Sequence, residues 1–240
     1  MKLDVLAALN TERAARRAAI IVSNIATAEQ RLVKAAEIAN DPLGAILAER
    51  LRSGKSGMAD SDEGRVFLTV HVPAAQLVAI GAVHISQALA PIAKLLGYDV
   101  TIVDPRTAFA SPERFPDVKI IAEWPDKALP SLGIDRYTAF VALTHDPKID
   151  DPALLYALAC DCFYIGALGS RKTHGRRVDR FKQQGVGDAE ISRIHAPIGL
   201  PIGAVSPSEI AVAIMAELIA LQRGGTGRRL VDTAPEPIHN

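Results

Sequence analysis

The order of apolar segments from Gln76 onward constrains the fold of this chain more than any other feature. Short β-branched segments, typical of buried strands, alternate with longer segments that have helical periodicity and helix caps. Strands that alternate with helices form a mostly parallel sheet covered on both faces, joined by right-handed crossovers. The pattern therefore predicts an α/β fold with a doubly wound, Rossmann-type sheet. The predicted strands cover residues 77–80, 98–103, 118–122, 138–143 and 162–167.

Residues 1–73 follow a different pattern and predict a small N-terminal α/β unit, which leaves residues 74–240 for the Rossmann-type domain. In the first unit, Asp41 followed by Pro42 predicts a helix start, because proline is favoured at the first helical position. The polar segment 57–64 is expected to be a loop.

Three features of the second domain lead to further expectations. Asp151 with Pro152 predicts one helix start, and the capping box that begins at Ser206 predicts another. The segment 210–221 is apolar on nearly every side and carries Glu217 as its only charge. Such a helix is expected to be buried, either within the monomer or across a subunit interface, so a homodimer is expected.

Composition excludes several classes of protein. The chain has 27 basic and 27 acidic side chains, and this neutrality disfavours general binding to nucleic acid or to a membrane surface. Its apolar runs are too short to span a bilayer, and its first residues lack the apolar core of a signal peptide, so a cytoplasmic location is expected. Cys160 and Cys162 make no disulfide framework and are expected to be buried apolar filling, with a role in sulfur handling as the alternative.

The turn after the first predicted strand of the domain is where a dinucleotide-binding fingerprint would lie. Its logic is a tight turn that brings backbone and a helix N-terminus close to a pyrophosphate. Gly81 supplies the first glycine, but Val83 stands at the second position and Ser86 at the third. The turn, with His84 opening the helix, is therefore either an adapted anion or nucleotide site or a connection that binds nothing.

Asp104 follows the second predicted strand of the domain. A carboxylate at this position of a Rossmann sheet typically accepts the ribose hydroxyl groups of a dinucleotide. The alternative is an aspartate that only starts the turn into Pro105. Arg106 is a second candidate, because its guanidinium would hold a phosphate.

Other candidate residues follow the fourth and fifth predicted strands. His145 and Asp146 come after the fourth, whereas Gly166 and Gly169 lie in and after the fifth. Ligands of such sheets bind beyond the carboxyl ends of the strands, at the switch point between the first and fourth strands. We therefore predict a ligand cleft at this edge, although His145 would serve equally well as a packing residue of its loop.

The helix after Gly169 is strongly basic. Ser170, Arg171 and Lys172 occupy its first turn, where backbone N–H groups and positive side chains suit a phosphate. A solvated helix face is the alternative.

Several of these segments together resemble one known family. The specific parts are the block from Tyr164 to Arg171 and the block Pro197-Ile198-Gly199-Leu200, which is followed by Pro207 and by Glu209-Ile210-Ala211. They are similar to the XdhC/CoxI/CoxF family, and the similarity extends over roughly residues 74–223.

The resemblance implies an accessory protein that matures molybdenum hydroxylases such as xanthine dehydrogenase and carbon monoxide dehydrogenase. It implies binding of molybdenum cofactor, as molybdopterin or as its cytosine dinucleotide, and transfer to the large subunit of the apo-enzyme. Such a protein is a chaperone more than a catalyst. Many relatives have a longer, cysteine-containing N-terminal half, so a separate chain that supplies that half is an expected partner.

Two alternatives stay open at this point. One is an NAD(P)-dependent oxidoreductase, in which Asp104 binds the ribose and His145 is the general acid or base. The other is a protein that docks a client without binding any ligand, which the valine at position 83 favours.

Overall fold

The computed structural model of the chain describes residues 2–61 and 64–228. The chain divides after Pro73 into two compact units. The N-terminal unit is a four-stranded antiparallel sheet with the strand order β2-β1-β4-β3. Its elements are α1 (Leu3–Ala14), β1 (Ala19–Asn24), β2 (Gln30–Lys34), a 3-10 helix (Ala35–Asn40), α2 (Gly44–Ser53), β3 (Gly57–Ser61) and β4 (Gly64–His71).

Strand β1 is buried on both faces, which explains its continuous apolar sequence. Ile20 belongs to an apolar cluster with Leu47 of α2, whereas Ile21 packs on the other face in a cluster with Leu9 of α1. Two helices on opposite faces thus give this small unit its own core.

Two expectations for this unit are wrong. The segment 57–64 was expected to be a loop, but residues 57–61 form the edge strand β3 and Gly64 begins β4, while residues 62 and 63 lie outside the described part of the chain. The backbone of β3 pairs antiparallel with β4, although only Ala59 of this strand packs against the core. The helix also begins at Gly44 and not at Pro42. Asp41 instead accepts a hydrogen bond from the backbone N–H of Leu43, at 3.0 Å, and pairs with Arg31.

The second unit holds one sheet of six parallel strands with the order β10-β9-β8-β5-β6-β7. The strand order reverses direction between β5 and β8, so the doubly wound Rossmann-type fold is confirmed. Its elements are β5 (Gln76–Ile80), α3 (His84–Leu95), β6 (Asp99–Val103), β7 (Lys119–Ile121), α4 (Pro125–Ala128), a 3-10 helix (Leu129–Ser131), β8 (Thr138–Ala142), α5 (Pro147–Ala159), β9 (Tyr164–Ala167), α6 (Arg171–Gln183), α7 (Asp188–Ile191), β10 (Ile194–His195) and α8 (Pro207–Arg223).

Apolar clusters cover both faces of this sheet, as the continuous apolar sequences of its strands require. Helices α3 and α8 close one face, where Leu89, Ile214 and Leu218 belong to the same cluster. The sequence predicted that α8 is buried either within the monomer or across a subunit interface, and the structure shows burial within the unit. Its other face exposes Val212 and Ile219, and the expected homodimer stays a prediction.

Helix α5 begins earlier than the sequence suggested. The chain has two Asp-Pro pairs in this region, and the first of them carries the cap: Asp146 accepts the backbone N–H of Lys148 at 2.9 Å, and Pro147 is the first helical residue. Pro152 lies inside the helix. Within the described part of the chain, every helix is too short or too polar to cross a membrane.

Candidate functional site

Strands β9, β8, β5 and β6 are neighbours in the sheet, and all four run in the same direction. Their carboxyl ends therefore lie along one line, which we call the carboxyl edge. The topology brings most candidate residues to this edge, and only Gly166 lies within a strand. They are Gly81 and His84 after β5, Asp104 and Arg106 after β6, His145 and Asp146 after β8, and Gly169, Ser170, Arg171 and Lys172 after β9.

The turn from β5 to α3 needs one glycine and not two. Gly81 has a φ of 109°, and a Cβ atom there would lie 2.8 Å from Cγ2 of Thr144 in the turn after β8. Val83, in contrast, has a φ of −98° and an extended backbone that any residue adopts, and its side chain packs against the apolar cluster beneath α3. The valine therefore imposes no backbone strain on the turn.

The N-terminus of α3 lies at the carboxyl edge and has no side-chain cap. Val83 occupies the N-cap position, and no side chain caps this helix. The N–H groups of a first helical turn have no acceptor within the helix, and they carry the positive end of its dipole. His84, the first helical residue, is exposed beside them.

Asp104 is completely buried and has four hydrogen-bond donors around its carboxylate. Arg106 donates from Nε to Oδ1 at 2.9 Å, from Nη2 to Oδ2 at 2.7 Å, and from its backbone N–H to Oδ1 at 2.9 Å. The backbone N–H of Ala82 donates to Oδ2 at 2.7 Å. Burial alone would raise the pKa of Asp104, but these hydrogen bonds outweigh it and lower the pKa. Asp104 thereby ties the turn after β6 to the turn after β5.

The turn after β8 is strained and polar. His145 is exposed and has a φ of 63°, a left-handed conformation that is uncommon for a residue other than glycine. Beneath it, the buried Asp150 accepts hydrogen bonds from Oγ1 of Thr144 at 2.7 Å and from the backbone N–H of Thr144 at 3.3 Å. Burial raises the pKa of Asp150, and the hydrogen bonds only partly oppose it. These two hydrogen bonds fix the position of Thr144 and hence of the His145 turn.

The turn after β9 leads into α6. Gly169 has a φ of 134°, and Ser170 caps the helix by accepting the backbone N–H of Thr173 at 3.2 Å. Arg171 and Lys172 are exposed in the first helical turn. Gly166 is different, because a Cβ atom there would lie 2.5 Å from Ile198 and 2.7 Å from Tyr164. Gly166 therefore leaves room for the side chains of Ile198 and Tyr164, which pack against the sheet at this position.

Sequence reasoning missed a buried arginine below the turn after β9. Arg177 is 3% exposed, donates from Nη2 to the carbonyl oxygen of Leu168 at 3.3 Å, and lies 3.6 Å from Asp151. Burial lowers the pKa of Arg177, whereas the charges of Asp150 and Asp151 oppose that shift. The sequence did not single out Arg177, because it is one of several basic residues in α6.

A second missed group joins β9, β10 and α8. Glu217 accepts hydrogen bonds from the hydroxyl of Tyr164 at 2.5 Å and from the backbone N–H of Gly199 at 2.8 Å. Nδ1 of His195 lies 3.1 Å from the same carboxylate, and the His195 ring stacks on Tyr164 with 4.8 Å between centroids. The lone carboxylate in an apolar helix was the signal that could have revealed this group.

A third missed group lies at the carboxyl end of β6 and consists of Arg106, Phe109 and Arg114; we call it the Phe109 cluster. The guanidinium carbon of Arg106 lies 4.6 Å from the centroid of the Phe109 ring, and that of Arg114 lies 5.6 Å from it. The Phe109 side chain is 43% exposed despite its size. Its signal in the sequence was weak, because the segment between β6 and β7 has no regular periodicity.

Comparison with known proteins identifies the domain that carries this edge. The family described as XdhC Rossmann domain matches residues 77–218, which include nearly all of the parallel sheet. The chain belongs to the XdhC family. The resemblance drawn from the two sequence blocks is thereby confirmed.

Three curated proteins are similar to this chain over part of its length. The uncharacterized protein YqeB of Escherichia coli is 32% identical over 166 residues, which are 68% of this chain and 30% of YqeB. A probable xanthine dehydrogenase subunit from Bacillus subtilis is 30% identical, with 63% of this chain and 44% of that protein covered. The molybdenum cofactor insertion chaperone PaoD of Escherichia coli is 30% identical, with 62% and 41% covered. The chain thus spans less than half the length of these relatives.

A crystal structure of a xanthine dehydrogenase from Bacillus halodurans has a similar fold. The TM-score is 0.65 at 22% identity, and the match covers 95% of this chain and 66% of that one. At this identity the comparison shows the fold alone, and it agrees with the Rossmann-type XdhC domain described above.

Proposed function

We propose that this XdhC protein is a maturation factor that binds molybdenum cofactor and helps to deliver it to a molybdoenzyme of the xanthine dehydrogenase or carbon monoxide dehydrogenase type. One observation carries the proposal: the domain shared with a cofactor insertion chaperone has two helix N-termini, those of α3 and α6, at a single carboxyl edge. In this role the cofactor is cargo, and the protein itself is a chaperone more than a catalyst.

The residues at the carboxyl edge suit the phosphate groups of such a cargo. Molybdopterin carries one phosphate, and its cytosine dinucleotide carries a pyrophosphate. The uncapped N-terminus of α3 offers N–H groups, and the positive φ of Gly81 shapes the turn that leads into it. On the other side of the switch point, Arg171 and Lys172 offer side-chain charge at the N-terminus of α6, next to Gly169 and Ser170.

The arrangement around Asp104 favours this proposal over an NAD(P)-dependent oxidoreductase. A ribose-binding carboxylate must face the ligand, but both oxygens of Asp104 are buried and bonded to Arg106 and Ala82. A ribose would have to displace the guanidinium of Arg106 before it reached that carboxylate. We therefore propose that Asp104 supports the site from beneath, and that His84, His145 and Asp146 border the ligand.

The partners follow from the same proposal. We propose that the client is the large subunit of an apo-molybdoenzyme, and that a separate chain supplies the N-terminal half that longer XdhC proteins have. A homodimer through the exposed residues of α8 is part of the proposal. A docking-only protein is the competing case, and it differs in one respect that can be measured: it retains no cofactor.

A retention experiment tests the function. Purified protein is mixed with molybdopterin or with its cytosine dinucleotide and passed through a gel-filtration column, and the pterin in the protein fraction is oxidised and measured by fluorescence. We expect stoichiometric retention of at least one form. A double variant, Arg171→Ala with Lys172→Ala, should retain much less, whereas Arg176→Ala on the exposed face of α6 is the matched control. Release of both forms by the wild-type protein would disprove cofactor binding and leave the docking-only case.

A further inference from the structure

The Phe109 cluster is an exposed aromatic ring held between two arginines, and nothing in the proposed role of the carboxyl edge yet uses it. The Phe109 side chain is 43% exposed, and two guanidinium carbons lie 4.6 and 5.6 Å from the centroid of its ring. Its position, chemistry and rigidity all bear on the kind of ligand that it fits.

The position of the cluster is set by the sheet. Arg106 and Phe109 follow β6, and the other exposed ring nearby in the topology, Trp124, follows the neighbouring strand β7. Strands β5, β6 and β7 form one half of the doubly wound sheet, and each half is built to bind one mononucleotide of a dinucleotide. The cluster therefore lies in the half that is remote from Arg171 and Lys172.

Both arginines are held in place before any ligand arrives. Arg106 is fixed by its two side-chain hydrogen bonds to the buried Asp104. Arg114 donates from Nη1 to the carbonyl oxygens of Ala82, at 2.9 Å, and Phe109, at 2.8 Å, and from Nη2 to Gln87 at 3.0 Å. Ala82 belongs to the turn between β5 and α3, so Arg114 connects the cluster directly to the anion-binding turn.

The chemistry of the cluster suits a nucleobase joined to phosphate. Bases stack on aromatic rings and on the planes of guanidinium groups, and such stacking tolerates any base. No acceptor among the described residues takes a hydrogen bond from Nη1 of Arg106, which leaves that donor for a ligand. A groove of about 530 Å³ shares Arg114 with the cluster, and Gln87, Lys94 and Phe115 also line it. A pterin with a single phosphate has no second ring system that would need this surface.

We propose that the Phe109 cluster is a binding site for the nucleotide end of a dinucleotide-type cofactor, where it makes contacts that molybdopterin without a nucleotide does not make. The inference deepens the proposed function and rests on it for the identity of the cargo. The base would stack on Phe109 and the diphosphate would lie at the β5–α3 turn, with no contact between the ribose and the buried Asp104, and the pterin would extend toward β8 and β9. Phe109 and Arg114 are then binding residues that the sequence analysis did not identify.

Calorimetric titration of the full chain with three probes tests the inference. The probes are cytidine 5′-diphosphate, adenosine 5′-diphosphate and inorganic pyrophosphate. We expect both nucleotides to bind at least about tenfold more tightly than pyrophosphate, because stacking adds to the phosphate contacts. Equal affinities for the nucleotides and pyrophosphate would overturn the proposal, and so would failure of both nucleotides to bind.

Variants separate stacking from folding. Phe109→Leu keeps an apolar side chain without a ring, and it should weaken binding of both nucleotides about tenfold while its affinity for pyrophosphate stays unchanged. Arg114→Lys keeps the charge and loses the planar group, so it should also favour pyrophosphate relative to the nucleotides. Leu221→Ala, a change at a side chain that is 45% exposed near the end of α8, is the control and should alter none of the three affinities. The next residue, Gln222, bonds Tyr98 at the amino end of β6, away from the cluster. Nucleotide affinity that is unchanged in Phe109→Leu would remove the cluster from the site.

The two proposals fail in different ways. If molybdopterin is retained on gel filtration, and its affinity and that of the nucleotides are both indifferent to Phe109→Leu, the nucleotide site is wrong and the chaperone function stands. If the nucleotides bind as expected but neither form of the cofactor is retained, the nucleotide site stands and the chaperone function is wrong.

Discussion

Asp104 and Arg106 form a bidentate ion pair in which the carboxylate is completely buried and the guanidinium is 35% exposed. Removing one partner of a buried pair leaves the other without compensation and typically costs about 3–5 kcal/mol. Arg106 can regain water, but the N–H of Ala82 also loses its acceptor. We therefore expect Asp104→Ala to lower the free energy of unfolding by about 3 kcal/mol. Urea unfolding can be followed by the fluorescence of Trp124. This is the only tryptophan of the chain and lies in the second unit, which also contains Asp104.

The matched control for this prediction is an exposed pair in the same unit. Asp161 accepts a hydrogen bond from Arg136 at 2.8 Å, but both side chains are more than half exposed. Pairs of this kind contribute less than about 1 kcal/mol, so Asp161→Ala should leave the urea midpoint nearly unchanged. Similar losses in the two variants would show that burial of Asp104 does not determine its contribution.

Two glycines should respond to alanine with opposite signs. Gly81→Ala forces a side chain into a positive φ and against Thr144, and we expect it to lower stability by about 1–3 kcal/mol. Gly175 lies in α6 with an ordinary φ and no atom near its Cβ position, so Gly175→Ala should raise stability by about 0.5–1 kcal/mol. Urea midpoints of the two variants measure both effects. A neutral Gly81→Ala would mean that the turns after β5 and β8 separate without cost.

The sequence predicted five of the six strands of the second unit, for a physical reason, and missed the two-residue edge strand β10. Strands such as β5 and β8 are buried on both faces, so their continuous apolar composition follows directly from their place in the fold. Strand β3 was missed because an edge strand is held by backbone pairing, which needs no apolar side chains. The start of α5 was misplaced because both Asp-Pro pairs satisfy the same local rule and only packing decides between them.

The candidate site was predictable in its location but not in its contacts. Parallel topology alone brings Gly81, His145 and Gly169 to one edge, so any sequence with this strand order places them together. No local pattern specifies that Arg106 turns back onto Asp104, or that Arg114 reaches Ala82 across 32 positions of the chain. Such contacts depend on how a loop without periodicity folds, and for that reason the Phe109 cluster was not anticipated.

Cofactor binding should depend on the first turn of α6 and not on the remainder of that helix. We expect Arg171→Ala to weaken binding of molybdopterin by about 1.5–3 kcal/mol, the range for a hydrogen bond to a charged group. Arg176 is also exposed on α6 but lies more than one turn further on, so Arg176→Ala should have no effect. Equilibrium titration that follows pterin fluorescence measures both affinities. Equal losses would indicate a general effect of positive charge.

The thiol of Cys162 should be inert in the folded protein. Burial raises its pKa to about 12, so almost no thiolate exists near neutral pH, and only the thiolate reacts. In Cys160→Ser, which leaves Cys162 as the only thiol, we expect no labelling by a disulfide reagent at pH 8 until the protein is unfolded. Rapid labelling of the native variant would revive the alternative that Cys162 takes part in sulfur handling.

The bond from Tyr164 to Glu217 should stabilise the protein only while Glu217 is ionised. Burial alone would raise the pKa of Glu217, but the hydrogen bonds from His195, Tyr164 and Gly199 outweigh it and hold the pKa below its ordinary value of 4.5. A group whose pKa is lowered by folding contributes stability that is fully present above the unfolded pKa and is lost as the pH falls through the folded pKa. Tyr164→Phe should therefore cost about 1.5–3 kcal/mol at pH 7, the range for a hydrogen bond to a charged group.

The pH dependence of that cost separates this bond from simple packing. As the pH falls from 7 through 4.5 and below, the wild-type protein should lose the advantage that Tyr164 gives it, and its urea midpoint should approach that of the variant. Tyr156→Phe is the matched control, since its hydroxyl makes no hydrogen bond to a described carboxylate, and its effect should not vary with pH in this way. A difference between Tyr164→Phe and wild type that stayed constant over this range would mean that the hydroxyl contributes through packing, and that Glu217 is protonated or differently bonded in the folded protein.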